Sequence, residues 1–162
     1  MSEFIIREIT PEDDVELALV LRKVLLEHDV PKVGTAYADE ALDMMYETYN
    51  IAKAAYLVVE YDGRLLGGAG VAQLENCDDN ICELQKMYFL EEARGKGIGY
   101  KMMQECLRKA KEYGFSKCYL ETMPNMLAAQ KLYQKVGFKY LDNPMGDTGH
   151  CSCPVWMLKE LL

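Results

Sequence analysis

The chain lacks long apolar runs and has little proline, tryptophan or histidine. Its 162 residues include five prolines, one tryptophan and two histidines. Its uncharged apolar stretches are short runs such as Tyr56–Val59, far below the roughly 20 residues that a membrane span requires. The first residues show no basic region followed by an apolar block, so we expect no secretory signal. Neither a membrane-spanning nor an exported protein is therefore expected.

Positive charge is also scarce. The chain has 18 lysines and arginines against 26 aspartates and glutamates, which gives a net charge of −8. Because binding to nucleic acid or to an anionic membrane needs clustered cations, neither partner is expected. Without an export signal, we expect the six cysteines to be free thiols in a reducing cytoplasm. They are Cys77, Cys82, Cys106, Cys118, Cys151 and Cys153.

Half of the residues are apolar and 27% are charged, which is normal for a globular protein. The length suits one domain over residues 1–162. The hydrophobic pattern predicts elements in the order β-α-α-β-β-β-α-β-α-β-β. The expected strands are 4–9, 55–61, 64–74, 81–90, 118–121, 137–141 and 154–159, and the expected helices are 10–28, 39–50, 100–113 and 125–135. This order predicts an α/β or α+β fold, with one mixed sheet and helices on both faces.

Two glycine patterns mark backbone features. Asp62-Gly63 between two strand-like runs is a strong hairpin signal. Gly67, Gly68 and Gly70 lie inside the next predicted strand and indicate either weak packing or a close approach of another group to the backbone.

The most informative segment is 94–101, Arg-Gly-Lys-Gly-Ile-Gly-Tyr-Lys, which follows a predicted strand and opens a helix. Three glycines in five residues let backbone N–H groups converge on one point. The helix adds its unpaired first-turn N–H groups and the positive end of its dipole. Arg94, Lys96 and Lys101 add cations. This pattern indicates a pyrophosphate site.

Two common phosphate motifs do not fit this segment. The third glycine of the Rossmann fingerprint would fall on Tyr100, and no Walker A sequence is present. Three alternatives stay open: a phosphate-carrying ligand other than a dinucleotide or ATP, a nucleotide bound in another way, and a glycine loop that only caps a helix.

The segment and two others resemble the GNAT superfamily of N-acetyltransferases. The matching patterns are Arg94-x-x-Gly97-x-Gly99, the strand Glu83–Leu90, and Ala129-x-x-Leu132-Tyr133-x-x-x-Gly137-Phe138. They occur in the family's order and lie within residues 81–141. The resemblance implies a mostly antiparallel sheet, splayed around a cleft that holds acetyl-CoA between the fourth and fifth strands.

The resemblance also implies cofactor contacts. Backbone groups near Met87 and Phe89 would bind the pantetheine arm and the thioester oxygen. The residues expected around the pyrophosphate are Arg94, Gly95, Lys96, Gly97, Ile98, Gly99 and Tyr100. The family's asparagine before the next helix is replaced by Met126, with Asn125 one residue earlier. Asn125 is therefore expected either to contact the cofactor or only to cap the helix.

Two residues match catalytic positions of the family. Tyr133 resembles a general acid for the leaving thiolate, and the alternative is an aromatic ring packed on a helix face. Glu83 resembles a general base, and burial would have to raise its pKa from about 4.3; the alternative is a solvated glutamate on a strand. His150 is a second candidate base. No metal site is expected, because the His150–Cys153 cluster lacks a fourth ligand at the usual spacing.

The predicted activity is acetyl transfer from acetyl-CoA to a primary amine of a small molecule or peptide, by direct attack in a ternary complex. The alternative is a non-catalytic sensor that binds acyl-CoA. We expect the acceptor to bind beside the first two helices, residues 28–49, and beside residues 145–153. The acidic and tyrosine residues of 28–49 favour a cationic acceptor, and the alternative is a solvated helix face. A monomer and a homodimer are both compatible with the sequence.

Overall fold

The computed structural model of the protein describes residues 3–28, 37, 39–77, 80–146 and 155–161. The strands are β1 (Ile5–Glu8), β2 (Ala55–Tyr61), β3 (Arg64–Gln73), β4 (Ile81–Phe89), β5 (Lys117–Thr122), β6 (Lys139–Leu141) and β7 (Val155–Glu160). The α-helices are α1 (Asp14–Glu27), α2 (Met45–Tyr49), α3 (Ile98–Glu112) and α4 (Leu127–Val136). Short 3₁₀ turns cover Pro11–Asp13, Glu40–Asp43 and Glu91–Ala93.

The seven strands form one sheet in the order β1-β2-β3-β4-β5-β7-β6. Among the strand pairs of the described residues, β4–β5 is parallel and the others are antiparallel. The parallel pair is reached through α3, as a crossover requires. This confirms the predicted mixed α/β fold with a mostly antiparallel sheet.

The sheet opens between β4 and β5. These strands pair only at Ile81–Lys117, Cys82–Cys118 and Glu83–Tyr119. The later part of β4, residues 84–89, has no pairing with β5. Two neighbouring strands that stop pairing diverge, so a gap opens beyond Glu83. The gap is the splay that the family resemblance implies.

The predicted order of elements is confirmed, and most element ends agree within about two residues. The expected helix over 39–50 is instead a 3₁₀ turn followed by α2, because Met44 leaves the helical region with φ −139° and ψ 50°. Asp39 caps the 3₁₀ turn by accepting from the Ala41 N–H at 2.9 Å. The break lets Leu42 and Met45 both reach the core, where neither is exposed.

The core lies between the sheet and its helices. Helix α1 packs against β3 and β4, and α3 packs against β2 and β3. Leu17, Leu21 and Leu25 recur every four residues on α1 and are fully buried, as a helix with one apolar face requires. Within the described ranges, no helix combines the length and the apolar character needed to cross a bilayer.

The glycines of β3 make room for two tyrosines. A Cβ on Gly68 would lie 2.5 Å from Tyr56 Cε1, and one on Gly70 would lie 2.7 Å from Tyr56 Cδ2. The Gly70 Cβ would also lie 3.0 Å from Tyr49 Cε1. Of the two sequence interpretations, close approach is therefore correct. Tyr49 and Tyr56 pack on this glycine surface with their ring centroids 5.2 Å apart.

We expect Gly68→Ala to lower the free energy of unfolding by about 1–3 kcal/mol, the usual cost of overpacking. The added methyl would lie 2.5 Å from both the Leu57 carbonyl oxygen and the Tyr56 ring. The corresponding fall in Tm is about 2–4 °C per kcal/mol for a chain of this size, measurable by thermal denaturation. Gly63→Ala is the comparison, since a Cβ there meets no atom within 4 Å and its fall in Tm reports only the backbone strain of a φ of 75°. An unchanged Tm for Gly68→Ala would contradict the close packing.

Candidate active site

The glycine loop adopts a conformation that favours glycine. Gly95 and Gly97 have φ angles of 74° and 75°, in the left-handed region. No atom lies within 4 Å of a Cβ built on either residue, so their outer side is open. Helix α3 begins at Ile98 with Gly97 as its N-cap, two residues before the predicted start.

The first turn of α3 leaves backbone donors available. The helix's first backbone hydrogen bond runs from Lys101 N–H to the Gly97 carbonyl at 3.1 Å. The N–H groups of the three preceding residues, Ile98, Gly99 and Tyr100, therefore have no partner within the helix. Together with the positive end of the helix dipole, they form a site suited to an anion.

A cleft of about 530 Å³ begins at this turn. It is lined by predicted cofactor residues from β4, the glycine loop, α3 and the segment before α4, and by Tyr133 from α4. The predicted residues on the cleft wall are Met87, Phe89, Arg94, Gly95, Gly97, Ile98, Gly99, Tyr100, Asn125 and Tyr133. Lys96 is not part of the wall. The structure thus brings nearly all of the predicted cofactor residues to one cavity.

Gly99 brings α3 and α4 together at the cleft. A Cβ at this position would lie 2.9 Å from Leu132 Cδ2. A larger residue would therefore displace the Leu132 side chain at the point where both helices line the cleft.

The predicted cations contribute unequally. The Arg94 guanidinium donates to the Phe89 carbonyl at 2.9 Å and to Glu27 Oε2 at 3.2 Å. Arg94 therefore ties the loop to the end of β4 and to α1, and Glu27 balances part of its charge. Lys101 does not line the cleft, whereas Lys135 does.

Lys135 and His28 are two of the cleft residues that were not predicted as cofactor residues. Lys135 lies 5.4 Å from the centroid of the Tyr100 ring. It follows the lining residues Ala128 and Leu132 by seven and three positions, so helical spacing could have indicated it. His28, at the end of α1, reaches the cleft only through the tertiary fold, and no local pattern marks it.

Asn125 spans the cleft mouth rather than capping α4. Its Nδ2 donates to the carbonyl oxygen of His28 at 2.5 Å. The N-cap of α4 is Met126, so the interpretation of Asn125 as the helix cap is wrong. Asn125 lines the cleft, as a residue in contact with a cofactor would.

Tyr133 combines burial with access to the cleft. Its side chain is 6% exposed, and its ring meets Phe138 edge-on at 6.0 Å. Burial raises the pKa of the phenol above its usual value of 10, so the group is neutral near pH 7. Within the described part of the chain, no residue hydrogen-bonds to its hydroxyl. The hydroxyl is thus a neutral donor available to a ligand.

Glu83 lies in a second cavity of about 610 Å³. It is 5% exposed, and burial raises the pKa of its carboxyl to about 7, partly opposed by a hydrogen bond from Gln85. The raised pKa is the condition stated above for Glu83 to act as a general base. Glu83 and Tyr133 do not line the same cavity. Strand β4 joins the two spaces, since Lys86 lines the Glu83 cavity and the next residue, Met87, lines the cleft.

A β-bulge lies at Lys86 and Met87, the neighbouring residues of β4 that line one cavity each. Gly70 pairs with Gln85 and Gly68 pairs with Tyr88, so two residues of β4 face one residue of β3. Lys86 in the bulge has a φ of 50°. Its carbonyl oxygen accepts a hydrogen bond from the Tyr56 hydroxyl at 2.8 Å. The tyrosine therefore fixes the bulge from the glycine surface of β3.

The Glu83 cavity is negatively charged. Asp39 and Glu75 also line it, and Lys86 brings a cation. The Lys86 ammonium lies 3.3 Å from Asp39 Oδ2, and its side chain is 7% exposed. One carboxylate thus neutralises the lysine, and the remaining acids favour a cationic ligand.

Only some residues of the predicted acceptor segments line the Glu83 cavity. Asp39 and Tyr49 line the Glu83 cavity, whereas Asp43 pairs with Arg22 at 2.6 Å. Met145 donates its N–H to the Tyr119 hydroxyl at 3.1 Å. Residues 147–153, including His150, lie outside the described residues, and so do Cys151 and Cys153.

The sequence matches the model of the acetyltransferase (GNAT) family over residues 23–138. Since the match covers more than half of the chain, the protein belongs to this family, and it is an acyltransferase.

Individual relatives agree with this assignment. The chain is 42% identical over 158 residues to the uncharacterized N-acetyltransferase YjgM of Escherichia coli K12, covering 97% of this chain and 95% of that protein. A GNAT-family acetyltransferase of Staphylococcus aureus Mu50 has the same fold, with a TM-score of 0.87, 20% identity, and coverage of 99% of this chain and 100% of that one. The structure of yncA from Salmonella typhimurium, with its cofactor acetyl-CoA, has a TM-score of 0.76 at 19% identity, covering 99% of this chain and 95% of that one.

Proposed function

We propose that the protein transfers the acetyl group of acetyl-CoA to a primary amine of a small molecule or peptide, by direct attack in a ternary complex. The observation that carries the proposal is the arrangement along β4. A buried carboxylate in an acidic cavity and a cleft with an anion-binding turn are joined by one bulged strand.

The residues of the cleft fit acetyl-CoA. The open glycine turn and the free amides of Ile98, Gly99 and Tyr100 suit a pyrophosphate. The edge of β4 at Met87 and Phe89 would bind the pantetheine arm through the Met87 backbone and the Phe89 N–H, because β5 does not pair there and the Phe89 carbonyl already accepts from Arg94. The structural neighbour yncA binds acetyl-CoA in the same fold.

The acceptor is proposed to be a cation. Asp39, Glu75 and Glu83 outnumber Lys86 in the cavity, so an ammonium group would be attracted there. A protonated amine is not a nucleophile and has to lose a proton before it attacks. A carboxylate with a pKa of about 7 accepts that proton near neutral pH.

Acetyl-CoA supplies a thioester whose carbonyl carbon the amine attacks. Glu83 would take the proton that the amine loses. Tyr133 would donate its phenolic proton to the departing thiolate, since burial raises the pKa of the phenol and keeps it protonated near pH 7. The bulge at Lys86 would direct the thioester from the cleft towards the acceptor cavity.

We also propose a reducing compartment such as the cytoplasm, because Cys77, Cys82, Cys106 and Cys118 are free.

The test is release of free thiol from acetyl-CoA in the presence of polyamines, aminoglycosides, amino acids and peptides. We expect turnover with at least one cationic amine and inhibition by coenzyme A but not by ATP. Binding of acetyl-CoA without turnover on any acceptor would contradict the assigned catalytic roles.

Calorimetry of acetyl-CoA binding tests the turn itself. Gly97→Glu places a carboxylate at the anion site, and we expect the Kd to rise by about 10- to 100-fold. Gly63→Glu is the matched control, because Gly63 has the same φ of 75° and the same open surroundings but does not line the cleft. Equal affinity in the wild type and Gly97→Glu would contradict the proposed cofactor site.

A further inference from the structure

Two short hydrogen bonds connect α2 to the buried carboxylate of β4. The Tyr49 hydroxyl lies 2.5 Å from Gln85 Oε1, and Gln85 Nε2 lies 2.6 Å from Glu83 Oε1. Tyr49 is 4% exposed and Glu83 is 5% exposed. Since both ends are buried, water competes little for these bonds, and losing either one leaves a buried polar group unsatisfied.

The donors and acceptors set the direction of this relay. An ionised Glu83 only accepts, so Gln85 turns its amino group to the carboxylate and its carbonyl to Tyr49. The phenol then donates to that carbonyl. If the proton sat on the Glu83 oxygen that faces Gln85, Glu83 would instead donate to the amide carbonyl. The amide would have to turn over, and Tyr49 would lose its acceptor, so the tyrosine hydroxyl favours the ionised form of Glu83.

The packing holds Tyr49 in place. A Cβ on Gly70 would lie 3.0 Å from Tyr49 Cε1, so the ring rests against the backbone of β3. The Tyr56 ring packs beside it at 5.2 Å. The Lys86 ammonium lies 6.0 Å from the centroid of the Tyr49 ring. With its ring fixed on these sides, the hydroxyl keeps its position against Gln85.

We propose that Tyr49 and Gln85 are positioning residues, which keep Glu83 ionised and oriented in the acceptor cavity. The proposal rests on the proposed function only where it treats Glu83 as the base. The relay itself controls the proton of Glu83 whatever that proton is used for.

Other groups around Glu83 also act on its charge. Glu121 on β5 and Glu75 after β3 oppose its ionisation, and Lys86 on β4 favours it. The buried thiol of Cys118 on β5 is neutral, since a hydrogen bond with Cys82 and burial raise its pKa. None of these groups changes in the variants below, so a difference in the pKa of Glu83 reports on the relay.

The pKa of Glu83 can be followed by ¹³C NMR of the carboxyl groups in the full chain without acceptor. The Glu83 signal is assigned by its absence from Glu83→Gln. We expect Tyr49→Phe to raise the pKa of Glu83 by roughly half to one pH unit, the size of one net hydrogen bond. The rise follows because the amide becomes free to turn its carbonyl to a protonated Glu83.

Two further variants distinguish an effect of the relay on the pKa of Glu83 from a general loss of packing around it. Tyr56→Phe also removes a buried hydroxyl, but that hydroxyl donates to the Lys86 carbonyl, so the pKa of Glu83 is expected to stay unchanged. Gln85→Leu removes the donor and is expected to raise the pKa further. Adding Tyr49→Phe to Gln85→Leu should then have no effect, because Tyr49 acts through Gln85.

An unchanged pKa of Glu83 in Tyr49→Phe would overturn the relay, and so would full additivity in the double variant. The pH dependence of kcat/KM in the same proteins tests the function separately. An acidic limb that moves with the NMR pKa supports Glu83 as the base. If the acidic limb of kcat/KM stays at the same pH while the NMR pKa of Glu83 shifts, the relay is supported but Glu83 is not the base.

Discussion

Replacing Tyr133 by phenylalanine is expected to lower kcat by about 10- to 1000-fold, the usual range for loss of a general acid. The thiolate then leaves without a proton from the protein. The Tyr133 ring packs against Phe138 and its hydroxyl has no partner among the described residues, so the substitution should leave folding and acetyl-CoA affinity nearly unchanged. Steady-state kinetics at saturating donor and acceptor would measure the change.

The control for this substitution is Tyr140→Phe. The Tyr140 hydroxyl donates to Gln130 Oε1 on α4 at 2.7 Å, and Tyr140 does not line the cleft. We expect its kcat to match the wild type. An unchanged kcat for Tyr133→Phe would remove Tyr133 from the mechanism and leave it as a packed aromatic residue.

Glu83→Gln is expected to lower kcat/KM by about 10²- to 10⁴-fold. In the wild type the rate should rise with pH through about 7, where the carboxyl loses its proton. The variant should lose this acidic limb, since an amide does not titrate. An acidic limb that survives unaltered would assign the base to another group.

The same substitution is expected to stabilise the fold at high pH. Burial raises the pKa of Glu83 from 4.5 to about 7 in the folded state. Below pH 4.5 the carboxyl is protonated in both states and costs nothing. Between pH 4.5 and 7 the unfolded state releases the proton first, so stability falls as the pH rises. Above pH 7 the full cost is on the order of 3 kcal/mol.

Glu83→Gln removes this cost and should therefore unfold at higher denaturant concentration than the wild type at pH 8, but not at pH 4. Chemical denaturation at the two pH values measures the difference. Glu160→Gln on the exposed end of β7 is the control and should show no such pH-dependent gain. A variant with lower activity and higher stability would identify Glu83 as a group retained for function.

The order of elements was predictable because its signals are local. Asp62 and Gly63 both have positive φ angles, as the tight hairpin turn requires, and both are turn residues in the sequence. The divergence of β4 from β5 has no local sequence signal. It depends on pairing between residues more than thirty positions apart, and it was predicted only through the family resemblance.

The candidate site also has one part with a local sequence signal and one part without. The glycine loop could be identified because turn, dipole and donors occur within seven residues. The partners of Glu83 could not be identified as a group. Gln85 is two positions away, but Tyr49 reaches it across 36 residues, through the break at Met44 and the surface left by Gly70. The sequence places Tyr49 among the tyrosines of the expected acceptor segment 28–49, but nothing in it marks Tyr49 as the partner of Gln85.

The glycine surface of β3 limits how this enzyme can be redesigned. Side chains at Gly68 and Gly70 would collide with the tyrosines that hold the bulge and the relay, so these two positions have almost no mutational freedom. Within residues 39–52, the Glu83 cavity is lined by side chains that solvent reaches, such as half-buried Thr48 and exposed Ile51. If this cavity binds the acceptor as proposed, a library aimed at acceptor preference should vary this segment and keep the two glycines.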